Sequence, residues 1–132
     1  MKNNHIAIVT GGVGDIGTAI CQMLSTHCDH VFALDIIEQT ASTEWLDTLK
    51  EKGLGNIHFQ PLDVTDYDQC GDVIDSIKKE YDNIDILINN AGITRDAVFA
   101  KMTKQQWDNV INVNLNGMFN ITHHVVKGSR DN

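Results

Sequence analysis

The stretch that most constrains what this chain can fold into is T-G-G-V-G-D-I-G, Thr10 to Gly17. It follows the apolar run Ile6, Ala7, Ile8, Val9, which reads as a short buried strand. It leads into Ile16, Ala19, Ile20, Met23 and Leu24 at helical spacing. Strand, glycine turn and helix in that order make a phosphate cradle. Gly11, Gly12, Gly14 and Gly17 let the backbone turn tightly and approach an anion. The N–H groups at the helix start, from Asp15 and Ile16 onward, present the positive end of the helix dipole. Gly12, Gly14 and Gly17 fit the dinucleotide spacing G-x-G-x-x-G. The segment V-F-A-L-D then places Asp35 about 20 residues on, at the tip of a second strand, where a ribose hydroxyl would sit.

The rest of the chain alternates in the same way. His30 to Asp35 reads as the second strand, and Trp45, Leu46 and Leu49 as a short amphipathic helix ended by Gly53. Ile57 to Leu62 is a third strand, with Pro61 at an end where a missing N–H is tolerated. Thr65 or Asp66 caps a helix whose inward face runs Tyr67, Cys70, Val73, Ile74, Ile77 and Tyr81, and Ile84 to Ile88 is a fourth strand. From Thr103 one last helix is predicted through Trp107, Val110, Leu115, Phe119 and Val126, apolar nearly all round and therefore in need of cover. This βαβαβαβ pattern argues an α/β fold, a parallel sheet with helices on both faces and right-handed crossovers.

Composition removes several classes of function. A net charge of −8 with no basic stripe disfavours nucleic acid and anionic membranes as partners. Cys21, Cys28 and Cys70 are odd in number and unpaired in spacing, and the N-terminal apolar run is four residues long, so a cytoplasmic setting is expected. The run His27, Cys28, Asp29, His30 is rich in metal-ligating types, but it occupies a helix-to-strand connection without a second cluster; a solvated loop is expected and no metal. His123 and His124 suit the negative pole of the last helix, and Arg95 with Asp96 reads as a surface pair, Arg95 meeting substrate phosphates being the alternative.

Four motifs in order resemble the short-chain dehydrogenase/reductase family. T-G-G-V-G-D-I-G is similar to its nucleotide loop, L-D-V at Asp63 and Val64 to its adenine-contacting turn, N-N-A-G through Asn90, Ala91 and Gly92 to its sheet-stabilising motif, and N-V-N-L-N-G around Asn114 to its structural and proton-relay asparagine. N-N-A-G-I-T-R-D, F-A-K-M-T and W-D-N-V look most like the acetoacetyl-CoA reductase branch, then the 3-oxoacyl-carrier-protein reductases. The likeness runs from about Ile6 to about Val126 and covers the first half of the family's domain. It implies a Rossmann-type doubly wound sheet, incomplete, with strand order 3-2-1-4, and residues 1–132 as the N-terminal, adenosine-binding part of one dinucleotide-binding domain.

The chemistry implied is hydride transfer from a nicotinamide to a 3-oxoacyl thioester, with a tyrosine as acid, a lysine four residues on and a serine holding the carbonyl. Here the residues four beyond Tyr67 and Tyr81 are Gly71 and Asp85, and Ser129 lies in K-G-S-R-D-N where a fifth strand would begin. Of the family's proton-relay residues only Asn114 is matched, and general acid catalysis, typically worth about 10²- to 10⁴-fold, is missing. The chain is therefore expected to be a truncated, self-associating reductase fragment without useful turnover. A non-catalytic nucleotide-binding module, or an interaction protein pairing with a chain that supplies the other half, is the alternative.

Two acids bear on the cofactor. The family loop carries glycine where this chain has Asp15, whose carboxylate would enter the pyrophosphate space or cap the helix itself. Like charges about 5 Å apart at an effective dielectric near 20 repel by roughly 3 kcal/mol before screening, lowering affinity about 10- to 100-fold. Asp15 swinging out to water at little cost is the other possibility. Asp35 accepts ribose hydroxyls and repels a 2′-phosphate, and no Lys or Arg lies between Lys2 and Lys50, so NAD(H) is favoured, although the family also admits NADP(H).

Overall fold

The computed structural model describes residues 5–93 and 98–127, so Arg95, Asp96 and Ser129 lie outside the described residues. The elements run β1 (Ile6–Thr10), α1 (Asp15–Ser25), β2 (His30–Asp35), α2 (Gln39–Glu51), β3 (Ile57–Pro61), α3 (Tyr67–Tyr81), β4 (Ile86–Ile88), α4 (Lys104–Ile111) and α5 (Gly117–Val126). The strands form a parallel sheet in the order β3-β2-β1-β4, with Ile8 opposite Phe32 on one side and Leu87 on the other. This is the Rossmann-type sheet that the alternation and the family likeness imply.

Side-chain alternation along the central strands builds two cores. Ala7, Val9, Val31 and Ala33 point to one face and pack with Cys21 of α1 and Leu49 of α2. Ile8, Phe32 and Leu34 point to the other and pack with Cys70, Ile74 and Ile77 of α3 and Ile121 and Val125 of α5. Every residue of β1 is buried, which is why Ile6 to Val9 are continuously apolar rather than alternating.

Local signals set most boundaries. Asp66 caps α3, its Oδ1 accepting from the Gln69 N–H at 3.0 Å, and Thr103 and Gln106 form a reciprocal capping box on α4. Gly53, at φ 81°, ends α2, where the Gly53 and Leu54 N–H groups donate to Lys50 and Leu49 carbonyls. α2 starts six residues before Trp45, and β4 is confined to Ile86–Ile88 instead of starting at Ile84. Tyr67 faces out and packs at a tilt on His124, with ring centroids 4.4 Å apart, whereas the remaining α3 positions expected inward are buried or half-buried. The connection after α1 is no open loop: Cys28 is buried and His30 opens β2.

The single last helix is the main correction. Helical backbone from Lys104 breaks into a π-turn at Asn112–Asn116, where the Gly117 N–H reaches the Asn112 carbonyl five residues back. A Cβ on Gly117 would stand 2.6 Å from Val64 Cγ2, so the turn delivers a residue without a side chain to a place where α5 meets that loop. α5 buries Asn120, Ile121 and Val125 and leaves Met118, Phe119 and Val126 at the surface, as the turn before it leaves Leu115. Lys78 Nζ donates to the His124 and Lys127 carbonyls at 3.0 and 2.9 Å and closes the C-terminus of α5. Among the described residues no helix is long and apolar enough to cross a membrane, and no group of three His, Cys, Asp or Glu could hold a metal.

At the opposite end of the sheet from the glycine turn, His30 Nδ1 and His58 Nε2 lie 2.8 Å apart beside Phe32 and Tyr81. One ring must donate and the other accept. Burial, then the His30 charge, pushes the His58 pKa below the ordinary imidazole value. The unfolded chain therefore binds more protons than the folded one: stability is full above about pH 6.5 and falls as pH drops through the lowered value. Urea denaturation between pH 7.5 and 5 should show this loss, and His58→Gln should flatten it. Burial also pushes the thiol of Cys21 up to about 12 and that of Cys70 to about 11, and raises Cys28 as well. Iodoacetamide at pH 8 should leave all three unmodified in the folded protein and alkylate all three in urea.

Candidate functional site

The site begins where β1 ends. Thr10, 1% exposed, places its hydroxyl between β1 and β4, accepting from the Asn90 and Ala91 N–H groups, each at 3.0 Å, and donating to the Ile88 carbonyl at 3.4 Å. Gly11 then turns the chain at φ 62°, its N–H donating to the Leu34 carbonyl of β2 and its carbonyl accepting from Asn90 Nδ2. A Cβ there would lie 2.9 Å from Ala91 Cα, so only glycine lets the two strand ends come this close. Asn90 and Ala91 thus hold the ends of β1 and β4 together.

Beyond these ends lies an open cleft of about 630 Å³. Gly11, Gly14, Asp15, Ile16 and Gly17 form one wall, Asp35 and Ile36 the tip of β2, and Asp63 and Val64 the turn after β3. Asn90, Ala91 and Gly92 close the β4 side. Gly12 is the exception among the expected residues. It faces the sheet, where a Cβ would meet that of Ala33 at 2.6 Å, and so seats the loop without lining the cleft. Gly17 does similar work, with 2.2 Å between its ideal Cβ and the Gly11 carbonyl oxygen. Gly14 is different, because its Cβ would meet nothing closer than 3.7 Å and would project beside the cleft.

The hydrogen-bond ladder of α1 starts with the Thr18 N–H on the Gly14 carbonyl, at 2.7 Å. The N–H groups of Asp15, Ile16 and Gly17 precede it, without an intrahelical acceptor, at the floor of the cleft. The Asp15 carboxylate does not cap them. It stands exposed on the cleft wall with no hydrogen bond to a described residue. Asp35 is committed in part: Oδ2 accepts from the Val13 N–H at 3.1 Å and Oδ1 from the Ile36 N–H at 2.7 Å, which fastens the glycine loop to the tip of β2. Asp63 Oδ1 accepts from the Thr65 N–H and hydroxyl at 2.9 and 2.7 Å, a turn that leads into α3.

Asn114 sits on the π-turn with both ends of its amide engaged. Oδ1 accepts from the Ile93 N–H at 2.9 Å and Nδ2 donates to the Ile93 carbonyl at 3.0 Å, so the side chain acts as a backbone substitute that holds the segment after β4. Gly92 is small because a Cβ would crowd that amide oxygen, at 3.2 Å. Leu34, Ile36, Leu62, Ile93 and Val113 also line the cleft. They supply its apolar surface, and nothing in their spacing along the chain sets them apart from core residues.

A parallel sheet in this order, with a glycine turn opening α1 and a cleft over the carboxyl ends of its strands, defines an α/β fold of the dinucleotide-binding class. The short chain dehydrogenase family model matches residues 5–131, and the chain belongs to that family. It is 44% identical over 127 residues to acetoacetyl-CoA reductase from Cupriavidus necator, with 96% of this chain and 51% of that protein covered. It is 42% identical over 124 residues to the 3-oxoacyl-[acyl-carrier-protein] reductase FabG of Thermotoga maritima, with 92% and 48% covered. Among solved structures, a variant of ElxO with NADPH bound superposes with a TM-score of 0.86 at 26% identity, over 96% of this chain and 51% of that one. The chain spans about half the length of the curated relatives it matches.

The Thr10 hydroxyl gives a direct test of the strand junction. Thr10→Val keeps the shape but strips two N–H groups of their acceptor, and should cost about 2–4 kcal/mol in urea denaturation. Thr10→Ser keeps the oxygen and should cost about 1 kcal/mol, the value of one buried methyl group.

Proposed function

We propose that this chain is the adenosine-binding part of a nicotinamide-dependent reductase of 3-oxoacyl thioesters, of the acetoacetyl-CoA type, and that it performs no useful turnover by itself. The observation that carries the reading is the juxtaposition at the α1 N-terminus: three N–H groups ahead of the helix ladder, faced by the Asp35 carboxylate across one cleft. The N–H groups suit a pyrophosphate and the carboxylate suits a ribose diol, with Ile36, Leu62 and Val64 offering apolar cover to an adenine near Asp63. The relatives' names supply the substrate class.

Asp35 selects NAD(H) over NADP(H), since a 2′-phosphate would meet a carboxylate with no cation between Lys2 and Lys50 to offset it. Asp15 weakens binding of either dinucleotide by standing on the wall the pyrophosphate approaches. Neither tyrosine can serve as the acid. Tyr81 packs on His30 at the far end of the sheet, and Tyr67 packs on His124 away from the cleft. Free, buried thiols at Cys21, Cys28 and Cys70 fit a reducing, cytoplasmic setting.

The β4 edge favours a second reading. Ile86, Leu87 and Ile88 are half-buried and pair, among the described residues, with β1 alone, and Ile86 and Leu87 adjoin the exposed Val126 of α5. A chain continuing the sheet there, or a second copy, would cover them.

Calorimetry of the purified chain should find weak NADH binding, and Asp15→Gly should tighten it about 10- to 100-fold. No NADH should be consumed with acetoacetyl-CoA. Steady consumption by the isolated chain would overturn the inactive reading, and a lack of binding in both versions would remove the nucleotide.

A further inference from the structure

The glycine loop is held from behind by groups far away in sequence. Trp45, half-buried on α2, donates its indole N–H to Thr18 Oγ1 at 3.0 Å. Thr18 Oγ1 in turn donates to the Val13 carbonyl at 3.0 Å, with the Gly12 carbonyl at 3.5 Å. An indole N–H can only donate, so the threonine oxygen must accept from it, and its one proton is left for the loop. The N–H of the same Val13 residue is taken by Asp35 Oδ2 at 3.1 Å. Val13 is therefore gripped at both its polar atoms, by α1 and α2 from one side and by β2 from the other. It is the residue immediately before Gly14, where α1 begins.

We propose that Trp45 and Thr18 are positioning residues for the anion cradle: their relay fixes the Val13 carbonyl, and with it the direction in which the Asp15, Ile16 and Gly17 N–H groups face the cleft. Neither side chain lines the cleft. The inference deepens the nucleotide reading and rests on it for the identity of the anion. The Asp35 carboxylate has to serve both Val13 and a ribose; with the Trp45–Thr18 relay in place, the loop does not depend on Asp35 alone when the sugar takes its share.

Three variants of the full chain test this: Trp45→Phe, which removes the donor and keeps a ring; Thr18→Val, which removes the hydroxyl at constant shape; and Thr18→Ser, which restores it. Amide exchange without ligand should speed up at Val13 to Gly17 in Trp45→Phe and Thr18→Val, stay unchanged at Ile8 and Phe32, and return to the parent rate in Thr18→Ser. NADH affinity should fall about three- to tenfold in the first two, the equivalent of one ordinary hydrogen bond, and recover in Thr18→Ser. Exchange that stays the same in the loop, or rises equally across the sheet, overturns the positioning role. Should the parent chain bind no NADH, the nucleotide reading falls, and the exchange pattern still decides whether the relay holds the loop.

Discussion

The close approach of the carboxyl ends of β1 and β4 is the constraint on which the cleft depends. Two backbone N–H groups from β4's continuation, Asn90 and Ala91, share one hydroxyl, that of Thr10, in a place with little access to water. In parallel sheets the strand ends carry backbone groups that the ladder no longer pairs, and each one left buried without a partner costs about 1–3 kcal/mol. Thr10 settles two of them at once. Gly11 can then turn at positive φ because nothing projects from its Cα toward Ala91. From that turn follow the direction of the loop, the start of α1 and the three N–H groups at its tip.

The electrostatics of the cleft pull in two directions. The start of α1 is positive by its dipole, yet the side chains around it, Asp15, Asp35 and Asp63, are all acids in a chain of net charge −8. Two of the three are tied down in part: Asp35 by the Val13 and Ile36 N–H groups, Asp63 by Thr65. Asp15 alone stands without a hydrogen bond to a described residue. An anion arriving at the loop would therefore meet favourable backbone and one unfavourable side chain, and the balance rests on a single residue.

The far side of the cleft shows how a helix can be bent into service. Regular α-helix from Lys104 to Val126 would satisfy its own backbone, but the extra residue in the Asn112–Asn116 turn shifts the helix face. That shift brings Gly117 against Val64 and lets the Asn114 amide pair with both backbone atoms of Ile93. A side chain here replaces a neighbouring strand. Asn120 does related work one turn on, with Nδ2 donating to the Val64 carbonyl at 2.8 Å. The loop after β3 and the segment after β4 are both fastened by asparagines from this one bent helix.

Much of this was legible in the residues. The apolar runs at Ile6 and Val31, the glycines between Thr10 and Gly17, the Asp66 cap and Gly53 determine their elements by local rules of period, backbone freedom and capping, and these act between neighbours in the chain. The apolar character of Leu115, Phe119 and Val126 read as burial, but a period of 3.6 carries no mark of a π-turn, nor of the contact beyond it where Val64 leaves room for glycine alone. Likewise Gly12 matches the motif as well as Gly14 does, and only the position of Ala33 behind it decides that one seats the loop while the other faces the cleft. The Trp45 bond to Thr18 and the grip of Asp35 on the Val13 N–H join residues 27 and 22 apart in sequence. Hydrogen bonds of 3 Å between such residues exist only once β1 and β2 lie side by side and α2 packs behind them. The sequence determined which atoms were available, and the tertiary structure decided which of them meet.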